Sequence, residues 1–193
     1  MTPETAMSTV WGAWVLSWIV ASAWSGRTVK RAGLGDELSY RILIVAGAAL
    51  TFAFRPASRG LGNRIYPPPP VAANWVLVAL VALGCLFAWW ARLHLGSLWS
   101  SNVTRKADHR IVDTGPYRIV RHPIYTGLIF ALLATAAALG TPTGFAGVAL
   151  MIAGIVMKAR LEEKFLREEF GPEIYDAYAR RVPMLVPMWP KGG

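Results

Sequence analysis

Apolar residues fall into five runs, 9–24, 38–54, 71–95, 123–139 and 143–157, parted by polar or proline-rich stretches. About 20 helical residues cross roughly 30 Å of hydrocarbon, within a range of roughly 17–25. The third run meets that length alone. The others sit near its short end, so flanking polar residues must snorkel or the bilayer must thin. Gly140, Thr141 and Pro142 part the last two runs, a turn with room only for an antiparallel helical hairpin. The pattern predicts an all-α integral membrane protein of about five transmembrane helices with a cytoplasmic C-terminal helical cap. Only Glu4 is charged before the first run, and Arg27, Lys30 and Arg31 follow it. That order is the reverse of a secretory signal peptide and reads as an N-out signal anchor.

Two regions are expected: transmembrane helices over 1–90, and a chemistry-bearing region over 91–193 with a polar loop, the hairpin and C-terminal helices. Beyond 157 a charged helix continues to Phe170, with Leu161, Phe165, Leu166 and Phe170 along one face. Gly171-Pro172 ends it, a short amphipathic helix covers 173–181, and a proline-containing tail is expected to lie extended along the surface. The four prolines 67–70 form a stiff spacer before the third helix. The nine tryptophans read as lipid-facing packing and an interfacial belt. The absence of an internal repeat argues against an inverted-repeat transporter.

Composition sharpens the class. Of 193 residues, 54% are hydrophobic and 16% charged, which excludes a disordered chain and speaks against an ordinary soluble enzyme. The net charge of +9 fits the positive-inside rule. With the N-terminus outside and the C-terminus in the cytoplasm, only Arg55, Arg59 and Arg64 of the 20 Lys and Arg residues lie outside. A multi-pass protein of a bacterial inner membrane is expected, with a membrane partner and no nucleic acid. Cys85 is the only cysteine and there are 3 histidines, so neither a disulfide nor a zinc site is expected. Dinucleotide, Walker, zinc-protease and serine-elbow motifs are absent.

Candidate chemistry gathers where a polar loop enters the fourth run. Pro123 suits the first turn of a helix. Arg121 and His122 then sit at the helix mouth, where free N–H groups and a partial positive charge can hold a carboxylate or another acceptor-rich group. Lys158 and Glu162, four apart, can face each other on one side of a helix. Each feature alone has a bland reading. Arg-His-Pro can be an interfacial anchor and cap, Glu162-Glu163 a solvated face, and His94 an interfacial residue; His109 has no partner nearby in sequence.

Together the features are more specific. Gly115-Pro116-Tyr117, Arg121-His122-Pro123-Ile124-Tyr125-Thr126-Gly127, a helical hairpin, Glu162-Glu163, Phe170-Gly171, Tyr175 and Tyr178, then Arg181-Val182-Pro183, resemble the isoprenylcysteine carboxyl methyltransferase family. Related phospholipid methyltransferases share much of this pattern. The resemblance covers about residues 91–190 and implies a membrane methyltransferase that uses S-adenosylmethionine and releases S-adenosylhomocysteine. It implies a cofactor pocket from Asn102, His109, Arg110, Ile111 and Val112 in the loop, and Tyr117, His122, Pro123, Ile124 and Tyr125 around the helix mouth. Glu162 and Glu163 complete it. Family members also place an arginine four residues before that glutamate, touching the methyl acceptor. Here that position is Lys158, with Arg160 two residues on, so Lys158, Arg160 and Arg121 are the expected catalytic residues. No metal is implied.

The expected acceptor is a lipophilic small molecule or lipid, with an isoprenylcysteine-type carboxylate as the first expectation. A phospholipid amine, a sterol-type reductase using NADPH and a non-enzymatic membrane scaffold remain open, as do the acceptor's identity and the oligomeric state.

Overall fold

The computed structural model describes residues 1–23, 28–31, 34–53, 64–96, 104–106 and 111–188. Helix α1 spans Pro3–Ser22, strand β1 Thr28–Arg31, and helix α2 Leu34–Ala48, which runs on as a wider π turn over Ala49–Ala53. Helix α3 spans Val71–Leu95, strand β2 Thr104–Lys106, and a single 3-10 turn Gly115–Arg118. Helices α4, Pro123–Leu139, α5, Pro142–Phe170, and α6, Pro172–Arg181, complete the described chain.

The expected runs and the helices agree most closely at α3 and α4. Helix α5 joins the fifth apolar run and the charged stretch after it into one helix of 29 residues. Thr141 caps it by accepting from the Gly144 N–H at 3.1 Å. Among the described residues, α3 and α5 are long and apolar enough to cross a membrane, and α4 is a shorter apolar helix. Helix α1 opens on Glu4, Thr5, Ser8 and Thr9, and α2 carries Asp36, Glu37 and Arg41, which lowers the apolar content of both. Their outer faces are nonetheless apolar. Leu16, Ile19 and Val20 of α1 and Leu38, Ile42 and Val45 of α2 are exposed, as are Leu83, Leu86 and Leu93 of α3. Side chains of this kind turned away from the protein need an apolar surrounding.

One element departs from the all-helical expectation. Strands β1 and β2 pair antiparallel, with Lys30 opposite Arg105 and Arg31 opposite Thr104. Polar residues without alternation gave no strand signal here.

Helix α3 packs along α4, α2 along α5, and α1 against α3. Glycines allow the close approach. A Cβ on Gly84 would stand 2.5 Å from the Gly127 carbonyl oxygen, and one on Gly47 would stand 2.5 Å from that of Gly147. The tryptophan expectation needs correction for one face of α1. Trp11, Trp14 and Trp18 turn inward, Trp14 stacks on Trp18 at 4.8 Å, and Trp18 meets Trp89 edge-on at 5.5 Å. Trp11 donates to Thr135 Oγ1 at 3.0 Å. Packing against small residues of α3 and α4, rather than lipid, takes up their area. Trp75 and Trp90 are exposed, as expected.

The helix ends sort into two groups. At one end, Arg64 donates to Ala138 O at 3.1 Å, the Ile65 N–H to Gly140 O at 2.8 Å, and the Tyr66 hydroxyl to Ala137 O. These bonds satisfy the last carbonyls of α4. At the other, fully buried Arg92 donates to Gly96 O and Ala21 O, tying the C-terminal ends of α3 and α1. The N-terminal ends of α2 and α4 and the polar half of α5 lie at this same end, and the candidate site is there.

Candidate functional site

Residues 158–170 of α5 lie beyond its apolar stretch and present two carboxylates to the mouth of α4. His122, the residue before the first turn of α4, sits between them and is buried. Its Nδ1 is 3.5 Å from Glu162 Oε2 and its Nε2 is 3.3 Å from Glu163 Oε1. Burial pushes the imidazole pKa down, but hydrogen bonds and charge from both glutamates outweigh it, and the net shift is upward. The imidazolium form donates to both carboxylates at once.

Each glutamate has a second partner. Glu163 Oε1 accepts from Arg121 Nε at 2.6 Å. Burial raises the Glu163 carboxyl, yet the bonds from His122 and Arg121 outweigh it and hold it at about 2. Glu162 Oε1 accepts from the Tyr125 hydroxyl at 2.6 Å. The Tyr125 ring lies nearly parallel to the His122 ring, with centroids 5.6 Å apart. Lys158, one turn before Glu162, places its ammonium 5.6 Å from the Tyr125 ring centroid and 5.7 Å from that of Tyr40. The solvated-face reading of Glu162-Glu163 therefore fails: both side chains are largely buried and enclosed by counter-groups.

The C-terminal tail is built into the helix mouth. The Arg121 N–H donates to Pro183 O at 2.8 Å and the His122 N–H to Met184 O at 3.1 Å. Thr126 Oγ1 donates to Leu185 O at 2.7 Å. The expectation of free N–H groups at this mouth is thus corrected at 121 and 122, where tail carbonyls take both donors. The Arg121 guanidinium also holds Ala179 O at 2.9 Å and Val182 O at 2.6 Å. It ties α4, α5, α6 and the tail into one unit.

Tyr178 of α6 donates to Tyr117 O at 2.8 Å, and burial holds its phenol protonated well above the ordinary range. Tyr117 is buried, and with Ile124 it packs against Ala88 and Ala91 of α3. His94 is not isolated: its Nε2 is 2.9 Å from Thr114 Oγ1 and its ring stacks on Tyr117.

The structure therefore gathers Arg121, His122, Tyr125, Lys158, Glu162 and Glu163, with buried Pro123, Ile124 and Tyr117 adjoining. Val112 packs beside Tyr117 and Ile124, while Ile111 packs against Tyr175, Tyr178 and Val182. Arg160 is exposed. Two residues from Lys158, it points to the other side of the helix and does not join the cluster. Asn102, His109 and Arg110 lie outside the described residues.

Two residues at this end escaped the sequence reading. Glu37 and Tyr40 of α2 are both buried, and Glu37 Oε2 accepts from Arg41 at 2.6 Å. The available signal was the Glu37/Arg41 pair, four apart at the start of an otherwise apolar helix.

Comparison with known proteins bears on what this arrangement does. Residues 76–168 match the family described as the isoprenylcysteine carboxyl methyltransferase (ICMT) family. Protein-S-isoprenylcysteine O-methyltransferase B of Arabidopsis thaliana is 33% identical over 86 residues, covering 44% of this chain and 43% of that protein. The nickel-cobalt-cadmium resistance protein NccN of Alcaligenes xylosoxydans xylosoxydans is 32% identical over 115 residues, 59% of this chain and 53% of its own. Methanethiol S-methyltransferase 2 of Bradyrhizobium diazoefficiens is 44% identical over 71 residues, 37% of this chain and 26% of its own. The chain spans about half the length of the first two of these relatives. The shared segment contains α4 and nearly all of α5, and so every member of the cluster that those helices carry.

Proposed function

We propose, from the premise that residues 76–168 belong to the isoprenylcysteine carboxyl methyltransferase family, that the protein is a membrane methyltransferase. The donor in this reading is S-adenosylmethionine and the acceptor a lipophilic molecule that reaches the site from the bilayer. One observation carries the reading: two half-buried glutamates from a long apolar helix close around a buried histidine at the mouth of a second one. Charged groups at such a boundary are costly unless they serve binding or chemistry. The family match favours methyl transfer over the reductase and scaffold readings.

The residues present fit the cofactor. Glu162 is enclosed and accepts one hydroxyl, and its carboxylate retains lone pairs for an ammonium or ribose hydroxyl. Tyr117 and Ile124 offer apolar surface beside it. Bound there, S-adenosylmethionine supplies a methyl group on a sulfonium whose leaving group is neutral. The chain's own tasks are then orientation and exclusion of water. Glu162, His122 and Tyr125 bind the donor, with Asn102, His109, Arg110, Ile111 and Val112 as further candidates. Lys158 faces the acceptor. Arg121 and Glu163 act as positioning residues, since the Arg121 guanidinium is committed to three partners. Arg160 has no role at the site in this reading. The isoprenylcysteine type remains the first acceptor to try, by the names of the relatives.

The alternation of helix ends supports five spans, α1 to α5, with the site and α6 on the cytoplasmic side of a bacterial inner membrane. The 17 Lys and Arg residues this leaves inside, against 3 outside, agree with that orientation. Isothermal titration of S-adenosylmethionine into detergent-purified protein tests the pocket. Glu162→Ala and His122→Ala should each weaken binding while the protein folds and inserts. Unchanged affinity in both variants would exclude this pocket.

A further inference from the structure

We propose that the Tyr40 hydroxyl of α2 and the Lys158 ammonium form the donor pair that receives an anionic oxygen of the acceptor's head group; this rests on the methyltransferase reading above. Tyr40 is only 3% exposed, and its hydroxyl has no hydrogen-bond partner. The Arg41 guanidinium stands 6.0 Å from the ring centroid and close to the hydroxyl, without closing a hydrogen bond to it. A buried hydroxyl left unpaired is costly in a fold. Such an atom at a binding site marks a place that a ligand fills.

The surroundings define the ligand. Lys158 lies between the Tyr40 and Tyr125 rings, 5.7 Å and 5.6 Å from their centroids. The Tyr125 hydroxyl is already donated to Glu162, which leaves that of Tyr40. Both Tyr40 and Lys158 are donors, so together they suit an oxygen carrying negative charge. A lysine is a point charge without the planar fork of an arginine. A hydroxyl from a second helix restores a two-donor geometry. Glu37 Oε1 is also buried and unpaired at this turn, and it only accepts, so it suits an N–H beside the anionic group.

Methyl transfer to a carboxylate forms one C–O bond and breaks the C–S bond of the sulfonium donor. The electron pair of that bond stays on sulfur, and no proton is released. The head group therefore needs donors that hold one oxygen and leave the other free to attack, with no base. Tyr40 lies outside the matched segment 76–168, so α2 adds a specificity element from beyond it.

The test is a direct titration, without methyl donor, of N-acetyl-S-farnesylcysteine and of its methyl ester. Wild type should bind the acid more tightly than the ester. In Tyr40→Phe the acid should weaken about ten- to a hundred-fold, as for a lost bond to a charged group. Ester and S-adenosylmethionine affinities should hold, and the ligand-free Tm should equal or exceed that of wild type, since no bond is lost. Lys158→Gln should weaken the acid in the same selective way. Equal acid affinity in wild type and Tyr40→Phe overturns the proposal, as does a wild type that binds S-adenosylmethionine yet does not prefer the acid. A wild type that does not bind S-adenosylmethionine overturns the underlying function instead, and this proposal with it.

Discussion

Replacing Arg121 with alanine removes a clamp rather than a reactive group, and the size of the effect follows from its contacts. Its Nε donates to Glu163 Oε1 at 2.6 Å, and its Nη1 to Ala179 O and Val182 O at 2.9 and 2.6 Å. Without it, Glu163 loses its nearest cation and two carbonyls lose a donor. Breaking a fully buried ion pair costs about 3–5 kcal/mol. Water still reaches Glu163, whose side chain is 20% exposed, and His122 remains beside it, so the expected loss is about 2–4 kcal/mol. Arg121→Lys keeps a charge near Glu163 but cannot span both carbonyls, and about half that loss is expected. Denaturant unfolding in a fixed detergent measures both variants. A double-mutant cycle with Glu163→Gln isolates the pair, which should account for 1 kcal/mol or more of coupling, as is usual for residues in contact (~0.5–3 kcal/mol). A loss below about 1 kcal/mol in Arg121→Ala, with methyl transfer abolished and donor binding intact, would refute this reasoning and assign Arg121 to the chemistry.

Gly84→Ala should destabilise the α3–α4 contact by about 1–3 kcal/mol, because the new methyl would meet the Gly127 backbone oxygen; Gly12→Ala, mid-helix in α1 with open space around it, is the clash-free control and should hold stability or raise it by up to about 1 kcal/mol in the same unfolding assay. The Glu163 carboxyl is held at about 2, against an ordinary value near 4.5, so its contribution is full above about 4.5 and lost as pH falls toward 2. That interval corresponds to about 3 kcal/mol, and the stability gap between wild type and Glu163→Gln should close over it. His122 has the opposite sign: its pKa is raised, so its contribution is full below about 6.5 and declines as pH climbs through the raised value. Stability plotted against pH should therefore peak between about 4.5 and 6.5.

Much of the helical frame was legible because its signals are local. Pro123 and Gly140 bracket α4, and four prolines precede α3, so both run boundaries and helix boundaries coincide. Gly171-Pro172 likewise ends α5 where expected, with φ of 84° at Gly171. The grouping of His122 with Glu162 and Glu163 came from the resemblance, since nothing along one helix tells which face meets another. The capping of the α4 mouth by Pro183 and Met184 was hidden for a related reason: the tail, expected to be extended, is a run of bends and turns about 60 residues on, with no periodicity to betray its partner. Tyr40 was missed because the pairing of α2 with α5 is a property of packed small-residue faces, such as Gly47 on Gly147, rather than of any motif. The tryptophans of α1 were misread because a helix face toward protein and one toward lipid carry the same residue types.

The most direct test of the central claim is transfer of a radiolabelled methyl group from S-adenosylmethionine to a total lipid extract by the purified protein. Label should pass to an organic-phase product with wild type, and fall to the heat-killed background with Glu162→Ala. Absence of label above background with wild type, in a preparation that also fails to bind S-adenosylmethionine, would contradict the account.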